Sequence, residues 1–446
     1  MLNSMDLTAL RLSDTDKSLL PLSGAKLRPP SLTLDLAVKS PPRRRTKVML
    51  YSHDTFGLGH LRRNLAIATR MLTHPGRFSV TLLTGSPVIS EWNLPRGLRV
   101  QPLPPVVKIA AETYAPREGQ TMFGLVKGYR EALILKRILR DRPDIFLVDH
   151  APAGMNGELL SALALMRREL PETRVILGLR DILDSPETVR SIWAAQEIPG
   201  LLAQAYDEIF VYGSEALFDV VEGYGITGAI AQRVRYCGHV VAAPEAEINP
   251  LQPSVCWTRT APAGRPVVLV SAGGGGDGFP MMQAYLQALQ SLPANLAYSV
   301  IVKGPLMAPA EKAALRKLAA GREDVELVGH TTDLVPSMRA AHLAVAMAGY
   351  NTSAEIIATR KRAILVPRPG PRAEQLLRAR LLAKLGVVRN IEPGENLVAR
   401  LAVALTEALV APPPPAACWE ALDLNGADYV ATHLESVMQT HFETVV

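Results

Sequence analysis

Twice in this chain an uninterrupted apolar run ends in a glycine-rich turn and passes straight into a helical pattern. The first run is Lys47-Val48-Met49-Leu50-Tyr51-Ser52, which leads into His53-Asp54-Thr55-Phe56-Gly57-Leu58-Gly59-His60 and then LRRNLAIATRML. The second is PVVLVS (266–271), which leads into Ala272-Gly273-Gly274-Gly275-Gly276-Asp277-Gly278. More apolar runs follow each: FSVTLLT, DIFLVD, RVILGL and DEIFVY in the first half, then YSVIVK, VELVG, HLAVAM and AILVP in the second. None of them alternates, and strands apolar on both faces belong in a parallel sheet covered by helices. The stretch 121–141 between two of them has helical spacing. The pattern predicts an α/β protein of two Rossmann-like, doubly wound parallel-sheet domains facing across a cleft, with ligands at the carboxyl ends of the strands.

A length of 446 residues agrees with two cores rather than one. The expected division is an extension over 1–45, an N-terminal Rossmann-like domain over 46–240, and a linker rich in Pro and Ala over 241–262. A C-terminal Rossmann-like domain over 263–410 and a helical segment over 411–446, set off by Pro412 to Pro415, complete it. With 48% apolar and 20% charged residues the chain is globular rather than disordered. No apolar run is long enough to span a bilayer and the N-terminus lacks a hydrophobic signal core, so a cytoplasmic location is expected. Cys237, Cys256 and Cys418 form no CxxC pair and no metal-like spacing, and they read as free thiols. A net charge of +6 suits contact with anions without choosing among nucleotide, lipid and nucleic acid.

Gly57 and Gly59 in the first turn let backbone approach a ligand, and they put His60 at the mouth of the cleft; a plain tight turn is the simpler alternative. In the second turn Gly273, Gly274 and Gly275 point to close approach of a ligand or of the other domain. Neither a P-loop GK[ST] nor a dinucleotide fingerprint follows. The segment Gly349-Tyr350-Asn351-Thr352-Ser353-Ala354-Glu355 enters another helix. Asn351, Thr352 and Ser353 are good helix caps, or else they hold a diphosphate at that helix N-terminus. Glu355, one turn in, suits two ribose hydroxyls or simply the helix dipole. Last comes the stiff loop Val366 to Arg372, after which Glu374-Gln375 open a helix.

At these residues the chain resembles the MurG-type GT-B glycosyltransferases, which use the UDP donor of N-acetylglucosamine and a lipid-linked acceptor in cell-envelope biosynthesis. The resemblance spans about 46–410 and is strongest from Gly349 to Gly386, in the order Gly-x-x-Thr-x-x-Glu, strand, Pro, loop, Glu-Gln, helix, Gly. It implies that Thr352 and its neighbours meet a diphosphate, Glu355 a ribose, and Glu374 and Gln375 the donor sugar. It also puts the Gly57–His60 loop on the acceptor side and implies inversion at the anomeric carbon. The chain departs from the family where an Asn expected after the Glu-Gln pair is Arg378, and its N-terminal half leaves the acceptor unassigned.

The expected chemistry is transfer of a hexose or N-acetylhexosamine from a nucleotide-sugar, with a UDP-sugar implied by the resemblance, to an unknown hydroxyl. No cofactor is expected beyond the nucleotide-sugar as co-substrate, and no metal, since Asp181 and Asp184 in RDILD lack DxD spacing. His60 is the first choice of general base and Asp149, ending DIFLVD, the second; His150 fits either a structural or a catalytic part. A nucleotide-sugar epimerase or hydrolase, and a binding protein without turnover, are the other classes. The basic helix with Lys127, Arg130, Lys136, Arg137, Arg140 and Arg142 reads as a solvated face, with peripheral contact to a membrane or an anionic acceptor as the alternative. No nucleic-acid partner is expected.

Overall fold

The computed structural model describes residues 44–54, 58–74, 76–110, 113–116, 122–241, 255–257, 261–262, 264–331 and 334–444. The 1–43 stretch, Gly57 and most of the expected linker lie outside the described residues. In the first half the elements are β1 (Thr46–Ser52), α1 (Gly59–Leu72), β2 (Phe78–Thr84), β3 (Arg99–Pro102), β4 (Val106–Ala110) and β5 (Thr113–Pro116). Next come α2 (Phe123–Asp141), β6 (Ile145–Asp149), α3 (Leu160–Glu169), β7 (Arg174–Arg180), α4 (Pro186–Ala195) and α5 (Ile198–Ala205). The half ends with β8 (Glu208–Tyr212), α6 (Val220–Tyr224), α7 (Gly228–Ala231) and β9 (Val234–Tyr236).

The second half begins with β10 (Val267–Ser271), α8 (Phe279–Gln290), β11 (Tyr298–Val302), α9 (Pro309–Leu318) and β12 (Val325–Val328). It continues through α10 (Val335–Ala340), β13 (Leu343–Ala346), α11 (Tyr350–Thr359), β14 (Ala363–Leu365) and α12 (Glu374–Lys384). Closing it are β15 (Arg389–Asn390), α13 (Leu397–Val410) and α14 (Gly426–Thr444).

The two large sheets run β3-β2-β1-β6-β7-β8-β9 and β12-β11-β10-β13-β14-β15, and every pairing in both is parallel. The predicted apolar runs are strands of these sheets, buried on every residue in β6, β8, β10 and β11, with VELVG as the half-buried edge strand β12. In each sheet the order reverses beside the first strand, between β1 and β6 and again between β10 and β13. Crevices for ligands open at such switch points; three of the turns singled out in the sequence follow β1, β10 and β13 there, and the fourth follows β14, the strand next to β13.

The last helix does not stay with the second half. Val430, Ala431, Leu434 and Met438 of α14 are buried with Leu61, Leu65 and Ala68 of α1, and His433 Nε2 meets Glu208 Oε2 of β8 at 2.7 Å. The solvated reading of the basic helix holds at Lys136 and Arg140, which are exposed, and fails at Arg130. Arg130 of α2 is only 2% exposed, because its guanidinium grips Glu158 at 2.7 Å through Nε and Nη2, and Tyr51 donates to the same carboxylate at 2.6 Å. A buried carboxylate needs its charge and lone pairs matched, and here Arg130 does this in the interior of the first half.

Candidate active site

One cleft is lined from both halves: Gly59, His60, Arg62, Arg63 and Arg180 from the first, with Gly273 to Asp277, Gly349 to Thr352, Arg368, Glu374 and Gln375 among those from the second. The sequence-predicted residues His60, Gly59, Gly273, Gly274, Gly275, Gly349, Asn351, Thr352, Glu374 and Gln375 are therefore brought together. Asp149 stands behind His60. Ser353 is 1% exposed and turned inward, and Glu355 lines a separate small recess with Arg62 and Asn351.

On the first side, β1 and β6 end side by side and deliver His53, Asp149 and His150 to one point. His60 Nδ1 lies 2.6 Å from Asp149 Oδ2. Arg63, one helical turn on from His60, gives Nε and Nη2 to Asp149 Oδ1 at 3.0 and 2.5 Å. Burial alone would raise the Asp149 carboxyl, but Arg63 and His60 outweigh it and hold the group well below the usual carboxylate range. An ionised carboxylate only accepts, so Nδ1 of His60 carries the hydrogen and Nε2 is left as a lone-pair acceptor. Arg63 Nη2 also lies 3.0 Å from Nδ1; both are donors aimed at Asp149, so that approach is not a hydrogen bond. Burial first, then Arg63 and Arg180, push His60 down to about 4. The ring is neutral near pH 7, as a base must be.

His150 is held in the left-handed region at φ 71, its amide donating to Gly178 O at 2.7 Å. Its ring stands 5.0 Å from that of His60 and 5.8 Å from that of His53. Burial and the neighbouring Arg180 keep it neutral, well below the ordinary histidine value.

On the second side, α11 begins at Gly349 as its cap, with no side-chain cap bond. Asn351, Thr352 and Ser353 are therefore inside the first turn rather than capping it, and among the described residues no side chain caps the helix. Asn351 instead donates to Gly59 O across the cleft at 3.3 Å. The glycine turn has a cause that the sequence did not reveal. At Gly275, with φ +84, a Cβ would stand 2.1 Å from Lys303 O, so the loop packs backbone to backbone against its own domain, and its exposed edge faces the cleft. Glu374 has one oxygen fixed by Arg368 at 2.6 Å, while Arg368 also holds Asp277 at 2.7 Å. The other oxygen, Oε2, is buried without a hydrogen bond among the described residues.

Sequence reasoning missed the contacts that join the halves. Arg62 of α1 is ion-paired with Glu355 of α11. Arg378 of α12 reaches Asp181, just past β7, with Nε at 2.8 Å and Nη2 at 2.6 Å. Tyr350 is buried between them, its hydroxyl accepting from Val240 N at 2.9 Å and its ring stacked on His239. The departure from the family pattern at Arg378 was the available signal; its partner, far off in sequence, was not legible.

Residues 273–421 match the family model described as "Glycosyltransferase family 28 C-terminal domain". A curated relative from Methylorubrum populi, a UDP-N-acetylglucosamine--N-acetylmuramyl-(pentapeptide) pyrophosphoryl-undecaprenol N-acetylglucosamine transferase, is 32% identical over 195 residues, 41% of this chain and 53% of the relative. The chain thus spans about half the length of that relative. Among solved structures, the glycotransferase of kitacinnamycin superposes with a TM-score of 0.58 at 16% identity, covering 90% of this chain and 99% of that one. MurG of Acinetobacter baumannii gives 0.52 at 13%, covering 88% and 99%. At such identities the likeness is one of fold. The chain is a two-domain protein of the MurG-like GT-B fold, and its C-terminal domain is related to that of glycosyltransferase family 28.

Proposed function

We propose that this protein is a glycosyltransferase that moves a hexose or N-acetylhexosamine from a UDP-sugar to an acceptor hydroxyl with inversion. The observation that carries the reading is the convergence, across one cleft, of the His60–Asp149 pair and the open N-terminus of α11. In this reading the donor diphosphate lies against Gly273 to Gly275 and the amides of the cap Gly349 and of Asn351 and Thr352 in α11, while the Ser353 amide, bonded to Gly349 O at 2.9 Å, holds the turn that presents them. The helix dipole and loop amides then neutralise the charge that grows on the leaving group. Glu374, through Oε2, and Gln375 take sugar hydroxyls. Glu355 takes the ribose, which requires its pair with Arg62 to open or to share the carboxylate. His60 Nε2 removes the acceptor proton as the acceptor oxygen attacks the anomeric carbon, and Asp149 stabilises the imidazolium that forms.

The acceptor side carries a further expectation. No helix among the described residues is long and apolar enough to cross a membrane. Met122, Leu125 and Tyr129, at one face of α2, are 74%, 67% and 60% exposed, with Lys136 and Arg140 farther along also exposed. Apolar side chains flanked by cations suit peripheral contact with an anionic lipid surface, which agrees with a lipid-linked acceptor.

Isothermal titration with UDP, GDP and dTDP tests the donor site. UDP is expected to bind best and to lose at least about tenfold in Glu355→Ala, as for a lost charge-assisted pair of hydrogen bonds. No nucleotide binding by the wild type would overturn the reading. UDP-sugar turnover unaffected by any added acceptor would turn it toward an epimerase or hydrolase.

A further inference from the structure

The cleft holds one cation that the proposed chemistry does not use. Arg62 is paired with Glu355, Arg63 with Asp149, and Arg368 with both Asp277 and Glu374. Arg180 also lines the cleft, yet among the described residues its guanidinium makes no hydrogen bond or ion pair, and its Nε is buried without a partner. Burial, with Arg63, Arg378 and Arg372 nearby, lowers it to about 10 against the pull of Glu374. Arg180 is half-buried and crowded by three like charges, and the Glu374 carboxylate draws on it without a hydrogen bond to it among the described residues, so its charge is only partly matched. Such a group fits a site completed by an anionic ligand.

The position of Arg180 says which ligand. It is the last residue of β7, and β7 lies beside β6 with Gly178 opposite Asp149. The next residue, Asp181, is clamped by Arg378, and the adjoining strand end bears His150, so the backbone beneath Arg180 is fixed from both sides. Arg180 therefore projects from the domain that carries His60, whereas the donor diphosphate is assigned to elements of the other domain. We infer that Arg180 is the anchor of an oxyanion subsite on the acceptor side, so that the acceptor carries a carboxylate or phosphate close to the hydroxyl that reacts. This inference rests on the donor assignment made above. Arg180 is then a specificity-determining residue: its planar donor fork matches either oxyanion.

The test is titration of inorganic phosphate, and separately of acetate, into the full chain saturated with UDP. The wild type is expected to bind one of the two, phosphate or acetate according to whether the natural group is a phosphate or a carboxylate. Arg180→Gln is expected to weaken that binding at least about tenfold while leaving UDP affinity within about threefold. Equal oxyanion binding by Arg180→Gln, or none by the UDP-saturated wild type, overturns the inference. So does a tenfold loss of UDP affinity in the variant, because Arg180 would then serve the donor. Should Arg180→Gln melt early, Arg180→Lys decides: it keeps the charge but not the fork and should fall between the other two. If the wild type binds no UDP the donor reading fails, and the oxyanion titration without UDP still judges Arg180 through the same variants.

Discussion

Arg378 and Asp181 meet as a two-point ion pair across the two domains, each side chain only 1% exposed. Burial would raise the Asp181 carboxyl, and Arg378 more than reverses this. Removing one partner of such a pair leaves the other desolvated and alone. Asp181→Ala is therefore expected to lose about 3–5 kcal/mol of stability by urea unfolding. The double variant Asp181→Leu with Arg378→Met should recover most of that loss, since replacing both charges with apolar groups is often nearly neutral. A double variant as unstable as the single one would show that the pair does more than balance charge.

His60→Ala should lower turnover by about 10²–10⁴-fold, the usual worth of a positioned base, with UDP affinity almost unchanged. Asp149→Asn keeps the shape but loses the charge that fixes the Nδ1 hydrogen, and it should approach the same loss. Steady-state kinetics beside UDP titration makes the check. Full activity in His60→Ala would remove it from the chemistry.

Acid should act on this site later than on an ordinary histidine. With its folded value near 4, His60 stays neutral as pH falls through 6.5, so the acid limb of kcat/KM is expected between about pH 4 and 5. Stability runs the same way. Unfolded His60 takes up its proton near 6.5 and the folded ring only near 4, so stability present above pH 6.5 is lost as pH falls toward 4. The shift corresponds to at most about 3 kcal/mol. In His60→Gln the difference in unfolding free energy between pH 7 and pH 4.5 should shrink accordingly. An acid limb at 6.5 would contradict the burial-driven value.

Gly275→Ala should damage the donor loop more than its small size suggests. The new Cβ would stand 2.1 Å from the Lys303 carbonyl at a φ that side chains rarely adopt. A destabilisation of about 1–3 kcal/mol and weaker UDP binding are expected, read by thermal melting and titration. Gly329→Ala, where a Cβ meets nothing within 4 Å, is the control.

How far the sequence alone carried can be read from these same residues. The central strands were legible because burial on both faces writes itself as continuous apolar runs, as in Ile145–Asp149 and Tyr298–Val302. The places of His60, Thr352 and Glu374 in the cleft were legible because each lies in or just after the turn that follows a parallel strand, β1, β13 and β14 in order. Pairings between distant segments leave no local periodicity, so Arg62 with Glu355 and Arg378 with Asp181 could not be seen. Arg130 failed for a related reason: a basic residue on a helix looks solvated until Glu158 is found beneath it. The capping alternative for Asn351, Thr352 and Ser353 failed by register, because α11 begins at Tyr350 and all three fall inside its first turn.

The docking of α14 onto α1 makes the first domain discontinuous along the chain. Its early strands and helices leave the ribosome long before Val430, Leu434 and Met438, which cover their apolar face. Since synthesis normally lets an N-terminal domain fold first, this one must wait with part of its core open to water until the whole second domain has been made. The second domain runs from β10 to Leu422, which with Trp419 is buried in its core, so it is complete before α14 is made. A segment made after the second domain thus closes the core of the first.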